Sequence, residues 1–144
     1  MSQASPQLRR FARRLIAYET SLQSEASDEA GQRTFQVIDE LRPQLVNLMG
    51  IGGFRALLSR AIARGSDEVR WLRAVHVKAD GSLTGFEEYA SLGPGQFAAG
   101  KVALLAELLG MLVALIGAPL TLRLVFDIWP TFARRSDPGN GEAS

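Results

Sequence analysis

The groups best placed to do chemistry lie between His76 and Lys101. Gly95-Gln96-Phe97-Ala98-Ala99-Gly100-Lys101 has the glycine spacing and trailing lysine of a phosphate-binding P-loop. In such a loop the next residue is Ser or Thr, whose hydroxyl holds magnesium. Here it is Val102, and no apolar strand precedes the segment to aim it. The same residues make a glycine-containing entry to a helix, and that reading is preferred.

Asp80-Gly81-Ser82-Leu83-Thr84-Gly85-Phe86-Glu87 follows the second half of an EF-hand loop. The first and third ligand positions would then be His76 and Lys78. Calcium needs anionic oxygens there, and lysine brings a cation. An Asp80-Gly81 turn followed by a Thr84-to-Glu87 capping box accounts for the same residues.

His76 is the one histidine of the chain. A lone histidine can serve as phosphoacceptor, general base or metal ligand. Histidine phosphotransfer helices resemble H-x-x-K-G, but here lysine follows by two residues in a stretch without helical pattern. No second histidine supports a zinc site, and no serine is locally paired with His76 as a nucleophile. Asp39-Glu40 and Glu87-Glu88 are sequence neighbours, which point in different directions on a helix and make no carboxylate dyad. No catalytic residue, cofactor or metal is assigned.

Arginine supplies what remains. Arg9, Arg10, Arg13 and Arg14 form a dense basic cluster, and Arg60 and Arg64 lie on the polar side of a later helix. These six are the candidate interaction residues. Arginine is enriched at interfaces because its planar fork pairs with carboxylates.

The elements that would carry these residues are helices. Ser5-Pro6 is a start signal, followed by an apolar stripe of Leu8, Phe11, Leu15, Tyr18 and Leu22. Residues 23–32 read as a loop, with Ser27 able to cap the next helix. Phe35, Ile38, Leu41, Leu45 and Leu48 repeat at helical spacing, and Pro43 should kink or split that helix. Gly50, Gly52 and Gly53 break the pattern, and a third amphipathic segment with Phe54, Leu57, Leu58, Ala61 and Ile62 on its apolar side follows. A short helix from about 67 to 74, a very short hairpin or extended loop near 74–84, and a short helix from Thr84 to about Leu92 come next.

Gln96 to Ile116 is the most apolar part, and a last helix runs from about Pro119 to Ile128. Between Val102 and Leu122 the one charge is Glu107. Length and hydropathy permit a transmembrane helix. Against this stand the break at Gly117-Ala118-Pro119, the cost of Glu107 in hydrocarbon, and the apolar stripe Leu120, Leu124 and Ile128, which needs a core. A helix apolar all round also suits the centre of a soluble bundle. Ala99, Ala103, Ala106, Gly110 and Ala114 would form a seam where another helix comes close.

The sum is a mainly all-α fold, a compact bundle of about six to seven helices, as a single domain over 1–135. The polar tail 136–144 reads as disordered. The chain of 144 residues is long enough to bury a real core. A net charge of +1 gives no global field to attract nucleic acid, which is not expected as a partner. Cysteine is absent, which removes disulfides and thiolate chemistry. No signal-like apolar run follows Met1, so a cytoplasmic location is expected. Arginine far outnumbers lysine, which is found only at Lys78 and Lys101, as in chains encoded by GC-rich bacterial genes.

Gly50 to Arg60, Val75 to Leu83, and Leu120 to Pro130 with its closing Asp127-Ile128-Trp129-Pro130, resemble strings of a group of small uncharacterised bacterial proteins. The resemblance spans most of the chain and implies a bacterial soluble protein, with no functional residue carried over. The expected function is therefore a non-enzymatic protein–protein interaction module: an adaptor, regulator or small subunit of a bacterial signalling or defence assembly. It would take a protein partner, with a second copy of itself as a further option. The alternatives are a membrane-acting protein that inserts helix 96–116 and an enzyme with a site around His76 and Lys78.

Overall fold

The computed structural model describes residues 5–23, 36–84, 94–130 and 132. Through them run helices α1 (Pro6–Gln23), α2 (Gln36–Ser66), α3 (Pro94–Ile116) and α4 (Ala118–Ile128). A 3₁₀ helix (Arg70–Ala74) and two short strands, β1 (His76–Val77) and β2 (Leu83–Thr84), lie between α2 and α3.

The expected six to seven helices reduce to four α-helices and one 3₁₀ helix among the described residues. Two physical reasons account for the difference. Pro43 does not split α2, which runs on through it with the ring on the exposed side. The interruption falls at Gly50, the first of the three glycines expected to break the pattern, whose φ of 81° and ψ of 162° bend the helix between two halves. The helix expected from 67 to 74 is only a 3₁₀ turn, started after Val69 in extended backbone. The loop 23–32 with Ser27, the helix continuing from Thr84 to Leu92, and the tail 136–144 lie outside the described residues, apart from Gln23 and Thr84.

Local chemistry sets the element ends. Ser5 caps α1: its Oγ accepts from the Leu8 N–H at 3.2 Å, and its carbonyl accepts from the Arg9 N–H at 2.9 Å. Gly117, at φ 92°, separates α3 from α4. Pro119 then sits in the first turn of α4, where a missing N–H costs nothing. The strands pair antiparallel, His76 opposite Thr84 and Val77 opposite Leu83. Their turn closes with Gly81 N–H donating to the Lys78 carbonyl at 2.9 Å, and Lys78 N–H to the Ser82 carbonyl at 2.8 Å.

The apolar helix α3 is the centre of the bundle. Every residue from Val102 to Leu112 is buried, with α1, α2 and α4 packed against it. Leu15 of α1, Phe54 and Leu58 of α2, and Leu104, Leu105, Leu108 and Leu109 of α3 fill the core. Burying one such side chain contributes about 1.5–3 kcal/mol. At one side Phe11 and Tyr18 meet Phe126 and Phe132, with ring centroids 5.4–6.5 Å apart. This cluster ties α1 to the end of α4.

α2 and α3 are antiparallel. A Cβ on Gly65 would lie 3.7 Å from the Leu104 amide nitrogen. Leu57, earlier on α2, shares a groove with Leu115, later on α3. Gly65 lies 15 residues from Gly50, and Leu104 lies 13 from Gly117. At about 1.5 Å per residue, both runs are about 20 Å long. The two kink glycines therefore lie at the same end of the bundle.

Candidate functional site

A groove of about 250 Å³ runs between the second half of α2 and the last turns of α3. Leu57, Arg60 and Arg64 line one side; Met111, Ala114 and Leu115 line the other. The first triplet stands at i, i+3 and i+7 and the second at i, i+3 and i+4, so each is one face of its helix. The groove opens where α3 outruns its cover. Met111 and Leu112 are buried, Ala114 is exposed, and Leu115 is 64% exposed. Ala114 has only a methyl group to fill the space between the helices. Two guanidiniums thus flank a floor of leucine, methionine and alanine: Arg60 is exposed and Arg64 half-buried.

The groove takes two of the six candidate interaction residues. The α1 arginines do not line it. Arg9 is held in an ion pair with Glu68, Nη2 to Oε1 at 2.6 Å, with a second contact from Nη1 to Oε2 at 2.9 Å. That pair ties the start of α1 to the chain just after α2. Arg10, Arg13 and Arg14 are exposed on α1 and form a separate cationic surface. Leu57, Met111, Ala114 and Leu115 were legible only as core residues, because apolar periodicity does not show where a covering helix stops. The i, i+3, i+7 relation of Leu57, Arg60 and Arg64 is the one sequence signal for the groove.

The P-loop-like segment is helical. Gly95 to Lys101 forms the first turns of α3, and Gly100 is buried against the Trp71 ring. Lys101 is half-buried, and burial holds its ammonium below the usual lysine pKa of 10.5. In the EF-hand-like segment, Asp80 turns its carboxylate onto its own loop. Its Oδ1 accepts from the Ser82 hydroxyl at 2.6 Å and the Ser82 N–H at 3.0 Å. These two bonds, the hydroxyl's first, pull the Asp80 pKa below 3.8. Glu87 lies outside the described residues.

His76 is exposed on β1 and Lys78 is exposed at the hairpin turn. None of the groove's lining residues comes from that hairpin. Asp39 is bonded to Arg42 at 2.9 Å, and Glu40 is exposed beside it. Burial raises the Asp39 pKa above 3.8 and outweighs the arginine.

Glu107 lies inside the most apolar helix and is 1% exposed. No buried side-chain N or O atom among the described residues lacks a hydrogen-bond partner, so the carboxyl is accommodated there. By length and composition, α2 over Val37–Ser66 and α3 over Ala98–Ile116 could each cross a membrane. Two-thirds of the α3 window is buried in the bundle, as in the core helix of a globular protein.

No family model, curated protein or solved structure matches the chain.

Proposed function

We propose that the protein is a non-enzymatic interaction module of a bacterial assembly and binds a protein partner in the α2–α3 groove. The observation that carries this reading is the apolar floor of Leu57, Met111, Ala114 and Leu115 bordered by Arg60 and Arg64. A partner helix would lay an apolar stripe between the two helices, as in helix-in-groove recognition. Its carboxylates would meet the two arginines in forked, charge-assisted hydrogen bonds. The exposed leucine and the guanidiniums, desolvated once a partner covers them, supply the anchors that dominate such interfaces.

The test is affinity capture of the full chain from its native host, followed by mass spectrometry. One stoichiometric partner should be retained by the wild type and lost by the Arg60→Glu/Arg64→Glu variant, with helicity unchanged. Equal retention by that variant would remove the groove from the interface.

A further inference from the structure

All large apolar side chains left exposed among the described residues gather at one place. They are Leu48, Ile51, Leu115, Leu120 and Leu122, between 37% and 64% exposed. Each lies within five residues of Gly50 or Gly117, the kink glycines that share one end of the bundle. The tip is therefore an apolar surface built from the ends of α2, α3 and α4.

The helix segments that run back from the tip carry cations. Residues 48–66 and 108–126 carry Arg55, Arg60, Arg64 and Arg123 and no carboxylate. The chain as a whole has almost balanced charge, at +1. Arg55 follows Ile51 by four residues, and Arg123 follows Leu120 by three, which places each one helical turn behind an apolar neighbour. Both arginines are exposed. Leucines at the extremity with cations a turn behind match the layering of a bilayer surface, acyl boundary first and phosphates above it.

We propose that this kinked end docks on the surface of an anionic lipid bilayer. Leu48, Ile51, Leu120 and Leu122 enter the headgroup–acyl boundary, and Arg55 and Arg123 meet the lipid phosphates. The buried helix α3 stays in the core and does not span the membrane. Docking in this way leaves most of the groove open, because Leu48, Ile51, Leu120 and Leu122 do not line it.

Flotation of the full chain with vesicles tests the proposal. Phosphatidylcholine vesicles containing phosphatidylglycerol should carry the protein up the gradient, and vesicles of phosphatidylcholine alone should not. Leu120→Ser/Leu122→Ser and Arg55→Glu/Arg123→Glu should each lower the bound fraction at least about tenfold with unchanged helicity. The chain has no cysteine, so one introduced cysteine can carry a spin label. A label at Leu48→Cys should show bilayer depth on anionic vesicles. A label at Asp67→Cys, beyond the opposite end of α2, should show bulk water. No flotation with anionic vesicles, flotation of either double variant equal to that of the wild type, or equal depth at both labels would overturn the proposal. Membrane protection of labels along Val102 to Leu112 would overturn it in favour of insertion of α3.

Discussion

The Trp71 ring packs against Gly100 so closely that a Cβ at that position would stand 2.7 Å from the indole Cε2. The indole Nε1 donates to the Gln96 carbonyl, one turn earlier on α3, at 3.1 Å. One aromatic side chain thus fixes the 3₁₀ helix to the start of the central helix. It does so through a gap left by a missing methyl group.

Gly100→Ala should therefore destabilise the protein. Alanine favours a helix over glycine by about 0.5–1 kcal/mol. The overlap with a buried indole costs more, about 1–3 kcal/mol. In a Trp71→Ala background the overlap is gone and the alanine should become neutral or stabilising. Chemical denaturation of the single and double variants measures this coupling, and additive effects would show that the two residues do not meet.

Sequence patterning predicted the main helical segments because apolar stripes at helical spacing record what must be buried. Ser5-Pro6 and Gly117-Pro119 marked ends correctly, since capping and missing donors are local chemistry. Pro43 misled, because a proline on the outer side of a long helix can be tolerated when the packing of Ile38, Leu41 and Leu45 holds both flanks in place. Gly100 was legible as part of a glycine-containing helix entry, but its partner Trp71 lies 29 residues away in sequence. The groove was hidden for a similar reason. Arg60 and Arg64 were visible as candidates, but Met111 and Leu115 join them only through the antiparallel pairing of α2 with α3.

Glu107 should be required for the fold. It is buried among leucines, and its removal strands whatever donates to it. Glu107→Ala should cost about 2–4 kcal/mol, from an orphaned donor and a new cavity together. Glu107→Gln keeps the volume and should cost less. Urea midpoints of the two variants would show the order, and a milder alanine variant would contradict it.

Lys101→Met should raise the melting temperature near neutral pH. Burial depresses the folded-state pKa of Lys101 below 10.5, so the folded chain is penalised wherever that ammonium is charged. The penalty is complete below the folded pKa. It fades as pH rises through the unfolded value of 10.5, where both states become neutral. The advantage of Lys101→Met should therefore shrink as pH climbs from the folded pKa toward 10.5 and be gone above it. An advantage that grows with alkalinity would refute the assignment.

The Arg9–Glu68 pair should matter little to stability despite its short contacts. Its side chains are 27% and 50% exposed, and exposed pairs contribute about 0–1 kcal/mol. Arg9→Ala should leave the denaturation midpoint nearly unchanged. Arg10→Glu/Arg14→Glu should likewise leave groove binding intact. If that variant loses the partner while Arg60→Glu/Arg64→Glu keeps it, the binding surface belongs to α1.

Gly50→Ala separates conformational cost from packing cost. A Cβ there meets nothing within 4 Å, so no side chain has to move. The backbone still holds φ at 81°, where an L-residue other than glycine is disfavoured. The penalty is about 1–3 kcal/mol, a drop of several degrees in melting temperature. The alternative for the variant is to straighten α2. That would swing residues 36–49 away and expose Ile38, Leu41 and Leu45, at about 1.5–3 kcal/mol for each side chain. Holding the strained bend is the cheaper course, so the variant should keep its near-ultraviolet dichroism and lose no more than several degrees. A large loss of stability together with altered tertiary dichroism would mean that the bend itself, and not glycine's freedom, limits the fold.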